Sequence, residues 1–75
     1  MNAIQRKLLD TIKSDLETIK DKINDMATEE QDKYDNLSEG LQASEKGQAF
    51  ENNAGQLNTA VSELESVIST LEEVE

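Results

Sequence analysis

Phe50-Glu51-Asn52-Asn53-Ala54-Gly55-Gln56-Leu57-Asn58-Thr59-Ala60-Val61-Ser62-Glu63-Leu64-Glu65-Ser66-Val67-Ile68-Ser69-Thr70-Leu71 is the stretch that decides the fold. Phe50, Leu57, Leu64 and Leu71 recur every seven residues, with Ala54, Val61 and Ile68 interleaved. Steps that alternate between four and three place all seven on one side of an α-helix. Leu or Phe at one core position and Ala or a β-branched residue at the other is the assignment that favours close helix pairing. Ala60, Val67 and Val74 widen the stripe, so this helix is expected to touch more than one neighbour. Gly55 inside it costs about 1 kcal/mol relative to Ala. It reads either as a tolerated defect or as a point where another helix backbone comes close. Glu72, Glu73 and Glu75 oppose the helix dipole and should fray.

The preceding half carries a second stripe. Apolar residues fall at Ile4, Leu8, Leu9, Ile12, Leu16, Ile19, Ile23 and Met26, again in steps of three and four. Leu9, Leu16 and Ile23 form one seven-residue row; Ile12, Ile19 and Met26 form the other. The pattern then drifts through Ala27 to Tyr34. No Pro or Gly occurs before Gly40, so a single helix is expected over about 2–35. Its flanking charges alternate in sign, with Glu17, Asp21, Lys13 and Lys20 at helical spacing.

Between the stripes, Gly40, Gly47, Ser38, Ser44 and Asn36 mark a break. Asn36 followed three residues later by Glu39 reads as a capping box opening a short helical turn, with Leu37 and Leu41 pointing inward. Gly40 is suited to end that turn, and Ser44 to cap the second helix. The expected fold is all-α. One helical-hairpin domain spans 1–75, with helix 1 over 1–35, a corner over 36–47 and an antiparallel helix 2 over 48–75, regular to about residue 74. Two such stripes leave more apolar surface than a hairpin covers by itself. Association of two copies into a four-helix bundle is the economical solution, through Phe50, Leu57, Val61, Leu64, Ile68 and Leu71. Completion of the stripe by a different protein is the alternative.

Composition excludes several function classes. With 7 Lys and Arg against 17 Asp and Glu, the net charge is −10. No basic stripe exists to displace counterions from phosphates, and anionic membrane surfaces are disfavoured for the same reason. No segment reaches the ~20 apolar residues needed to span a bilayer. The first residues carry no apolar run of the secretory type, which leads to an expectation of cytoplasmic residence. His and Cys are both absent, removing the usual acid–base and nucleophile partnerships, so no catalysis and no cofactor are expected. The cluster Asp35, Asn36, Glu39 and Gly40 fails as a calcium loop. With Gly40 as sixth residue, Leu37 holds the third position and Lys46 the twelfth, where oxygen ligands are required.

Protein binding is what remains. Tyr34, Leu37 and Leu41 either seal the corner against Ala43 and Phe50 or form an aromatic-aliphatic anchor for a partner. The carboxylates Glu63, Glu65, Glu72 and Glu73 are candidate contacts too. Together with Glu45, Glu51 and Glu75, they raise the alternative of a nucleic-acid mimic that blocks a DNA- or RNA-binding enzyme. The plainer account of that acidity is solubility.

The corner also carries a resemblance. Glu29 to Gly47, with Tyr34, Asp35-Asn36-Leu37, Glu39-Gly40-Leu41-Gln42 and Ser44-Glu45-Lys46-Gly47, resembles the corner of small acidic helical proteins of tailed bacteriophages and prophages. In that group a Leu/Ala-rich acidic helix follows, so about half of the chain is covered. The sequence departs at Ser38, where Pro is common, which leaves the short turn less preorganised. The resemblance implies a phage or prophage setting in a bacterial host's cytoplasm. It implies no activity, but a small helical protein that binds and modifies or inhibits a host protein, defence systems included. A small structural accessory of a phage assembly is the other reading it allows.

Overall fold

The computed structural model describes residues 1–75 and is all-helical, with α1 over Ala3–Asp35, α2 over Glu39–Gln42 and α3 over Glu45–Glu72. α1 opens on a capping box that the sequence reading passed over. The Gln5 N–H donates to Asn2 Oδ1 at 2.8 Å, and the Asn2 N–H donates to Gln5 Oε1 at 3.1 Å. Two amides that a helix start leaves unpaired are thereby satisfied. Thirty-three residues make α1 about 50 Å long.

The corner differs from expectation in four ways. Asn36 does not cap the short turn; its N–H still donates to Asp32 O at 3.0 Å, so it closes α1. Ser38 stands at the start of α2 without a side-chain cap bond. Gly40 lies inside α2 and does not end it: Ala43 does, in right-handed conformation, and no residue of the chain has positive φ. Leu41 faces outward at 55% exposure, while Leu37 is half-buried. α3 begins at Glu45, three residues earlier than read. Ser44 caps it as expected, accepting from the Gly47 N–H at 3.3 Å. At the far end regular helix stops at Glu72, two residues short of the expected end.

The two long helices pack along one seam with a strict alternation of three and four. On α3 the covered residues of the seam are Gly47, Phe50, Ala54, Leu57, Val61, Leu64, Ile68 and Leu71, with Ala60 half-buried beside them. On α1 they are Leu9, Lys13, Leu16, Lys20, Ile23, Ala27, Glu30 and Tyr34. The α1 seam therefore uses the expected row Leu9, Leu16, Ile23, but its second row is Lys13, Lys20, Ala27, Tyr34 and not Ile12, Ile19, Met26. The corner supplies the physical reason. Towards it the Ile12 row runs from Met26 to Lys33 while the other runs from Ala27 to Tyr34, and a continuous helix keeps the same side turned inward along its whole length. The lysines at the other end follow, burying their stems and sending the ammonium groups out.

Gly47 and Gly55 separate cleanly. A Cβ on Gly47 would overlap the carbonyl oxygens of Leu41 and Gln42 and come within 2.8 Å of the Gln42 carbonyl carbon. The corner can fold back onto α3 only because that atom is missing. Nothing lies within 4 Å of the corresponding point on Gly55, which makes it a tolerated defect and not a helix crossing.

The hairpin is a rod of 58 × 15 × 12 Å with a radius of gyration of 17.2 Å. A compact chain of this length has about 11 Å. Its buried apolar residues are only Ala27, Ala54, Val61 and Ile68.

Candidate interaction surface

Because the chain reverses direction between α1 and α3, the rows that flank the seam on the same side of each helix come together on one broad side of the hairpin. On α1 that flanking row is Ile12, Ile19 and Met26, exposed at 42%, 45% and 53%. On α3 it is Asn53, Ala60, Val67 and Val74. A shallow groove lined by Met26, Glu30, Asn53, Gln56 and Leu57 puts members of both rows on that side. Leu8, one row further out on α1, is more exposed still. Ile12, Ile19, Met26, Val67 and Val74 thus form one elongated apolar side.

The opposite side is charged. Lys13 pairs with Asp10 at 3.5 Å and Lys20 with Glu17 at 2.9 Å, each one turn apart on α1. The Glu17 hydrogen bond, helped by Glu65 across the seam, holds the Lys20 ammonium pKa above the ordinary lysine value. At the corner end of the apolar side, Lys33 continues the Ile12 row and pairs with Glu30 at 2.8 Å, and Asn53 Nδ2 donates to the same carboxylate at 3.3 Å. Those two bonds hold Glu30 below the usual carboxylate range. The ammonium groups of Lys33 and Lys46 sit 5.6 and 5.9 Å from the centre of the Phe50 ring, within cation–π range.

The six residues expected at a dimer interface lie in the hairpin's own seam. Val61 and Ile68 are buried against α1, and Phe50, Leu57, Leu64 and Leu71 are half-buried there. What the hairpin leaves free is the Ile12 row. That row was visible in the sequence as half of the α1 stripe; nothing in the periodicity said which half would face α3.

The partner-binding candidates do not gather at one place. Leu41 projects from the corner, whereas Tyr34 and Leu37 are half-buried and seal it, with Gln42 Nε2 donating to Tyr34 O at 3.2 Å. Glu65 and Glu72 share a heptad row with Glu51 on the charged side. Glu63 borders the apolar side, and Glu73 follows the last residue of α3. No three carboxylates converge to hold a metal ion, and no helix is long and apolar enough to cross a membrane.

Tyr34 offers a direct reading of the seam. The Glu51 carboxylate beside it, with desolvation, raises the phenol pKa above its ordinary value. Tyr34 is the sole Tyr and Trp is absent, so alkaline titration of phenolate absorbance reports this group alone. A midpoint above the ordinary value of about 10 is expected, falling back in Glu51→Gln. A raised pKa stabilises the fold below the unfolded-state value, and this contribution is lost as pH rises through the folded one. Helicity should therefore resist alkali slightly better in the wild type than in Glu51→Gln.

The chain was compared with known protein families, with curated proteins and with solved structures. It matches none of them. The inference to function therefore rests on the surface itself.

Proposed function

We propose that the chain is a non-catalytic protein-interaction module whose apolar side docks against another helical surface. The observation that carries this is the exposed row Ile12, Ile19 and Met26 beside Val67. Large aliphatic groups at heptad spacing on both helices of one side make a continuous patch, and such patches mark interaction sites. The accessible surface supports the same reading. At 5534 Å² it exceeds the ~4,600 Å² expected of a compact monomer of 8.3 kDa. The excess is comparable to the ~800 Å² that each partner buries in a standard interface.

In the phage or prophage setting that the corner resemblance implies, the target is a host protein in the bacterial cytoplasm, bound and modulated or inhibited. The exposed Leu41 at the corner is then available for contact after the apolar side is covered. The geometry does not favour nucleic-acid mimicry. Glu51 to Glu73 spans ~33 Å of helix and carries five carboxylates, against about ten phosphates per strand over that length.

The test is the double substitution Ile12→Ser with Ile19→Ser. Both residues lie outside the seam, so helical circular dichroism should be retained, while association, read as particle mass by sedimentation equilibrium and as host protein retained on the immobilised chain, is lost. A variant that associates as the wild type does would remove the proposal.

A further inference from the structure

Resting on that reading, we infer that the occupant of the apolar side is a second copy of this chain, related by a two-fold axis that runs along the length of the hairpin. In that arrangement α1 of one copy lies against α3 of the other, and all four neighbouring helices are antiparallel.

The internal register of the hairpin makes the arrangement specific. Glu30 is level with Asn53, Met26 with Leu57 and Leu9 with Val74. A two-fold axis parallel to the helices preserves those levels between copies. Ile12 then falls between Val74 and Val67 of the second copy, Ile19 between its Val67 and Ala60, and Met26 between its Ala60 and Asn53. The two rows interdigitate over these residues as the core layers of a helical bundle do, and charge enters them only at the corner end, where Lys33 and Lys46 continue the rows.

The rim supplies the charge complementarity. The next row outward on α1 is Leu8, Asp15, Lys22 and Glu29; on α3 it is Ala49, Gln56, Glu63 and Thr70. At the same levels Lys22 meets Glu63 of the second copy, within about two residues, or ~3 Å, along the axis. Glu29 meets a Gln amide at position 56, an acceptor opposite a donor; Asp15 comes level with Thr70, whose hydroxyl already donates to Ser66 O at 3.0 Å. Lys13, Lys20 and Lys33 all find carboxylates within their own chain, whereas Lys22 and Glu63 are exposed and take part in no ion pair. The symmetry repeats each contact twice.

The competing two-fold, perpendicular to the helices, stacks α1 on α1 and α3 on α3. It centres near Ile19 and sets Asp15 against Lys22 of the second copy. It also brings the two Glu63 carboxylates together close to the axis, where like charges oppose association. Glu63 therefore distinguishes the two arrangements by sign.

The experiment measures the dimer dissociation constant of the full chain by sedimentation equilibrium at low salt. Lys22→Glu and Glu63→Lys should each weaken the homodimer several-fold. An equimolar mixture of the two variants should recover a heterodimer, since both rim pairs are then of opposite sign, and the double variant should recover the homodimer. Recovery should fade at high salt, where exposed pairs are screened. If Glu63→Gln alone tightens the dimer, or the mixture shows no preference, the arrangement is wrong. A wild-type chain that remains monomeric while Ile12→Ser with Ile19→Ser still abolishes binding to another protein would overturn this inference and leave the proposed function standing.

Discussion

Gly47→Ala should unfold most of the hairpin, while Gly55→Ala should stabilise it. Both exchange Gly for Ala inside α3, so helix propensity favours each by about 1 kcal/mol. They part at the next step. A methyl on Gly47 enters the space of two backbone carbonyls, Leu41 and Gln42, which cannot rotate away as a side chain could. Relief requires the first turn of α3 to move off the corner, taking the Ser44 cap and the Tyr34–Phe50 end of the seam with it. Overpacking of this kind costs roughly 1–3 kcal/mol and more where backbone must shift. A core of this size supplies only about 3–5 kcal/mol in total. Thermal melts followed by circular dichroism should show Gly47→Ala lowered by ~10–20 °C and Gly55→Ala raised by ~4–8 °C. Equal shifts of the same sign would mean that the corner does not close on Gly47.

Ile68→Ala should cost more than any single change on the apolar side. Ile68 is the largest of the four buried apolar side chains and retains only 5% exposure between the helices. Removing three carbons from a buried Ile costs ~2–5 kcal/mol, because the lost burial is joined by a cavity. Here that approaches the stability of the whole hairpin. The contrast is Ile19→Ala, at 45% exposure in the hairpin. Within one chain it should cost under about 1 kcal/mol, since less than a fully buried side chain's worth of contact is lost. The two variants are separated by protein concentration. Ile68→Ala should lose helicity at every concentration, and Ile19→Ala only on dilution, where association no longer supports the fold. If Ile68→Ala keeps full helicity at low concentration, the seam described here does not hold the helices together.

The seven-residue row from Phe50 to Leu71 and the steps from Ile4 to Met26 were enough to specify two long helices, because a 3.6-residue period leaves no other regular structure that segregates those side chains. Ser44 as the start of α3 was legible for a similar reason: a hydroxyl with an unpaired N–H three residues ahead is a local arrangement. Other local features went astray at the corner. Asn36 had the right spacing to Glu39 for a capping box, yet its own N–H was claimed by the α1 ladder. Gly47 looked like a breaker and proved to be a point of close backbone approach. Gly55 posed the same question and had the opposite answer, since only the position of the rest of the chain distinguishes them.

By itself, then, the sequence determined the number of helices, their approximate extents and the fact that both carry more apolar surface than one seam requires. Only the tertiary structure decided which part of that surface faces inward. Periodicity defines a stripe on each helix but not the rotation of one helix about its axis relative to the other. Closing the corner at Gly47 and seating Ala27 and Tyr34 against α3 set that rotation. It turned Lys13 and Lys20 towards the seam and left Ile12, Ile19 and Met26 on the outside.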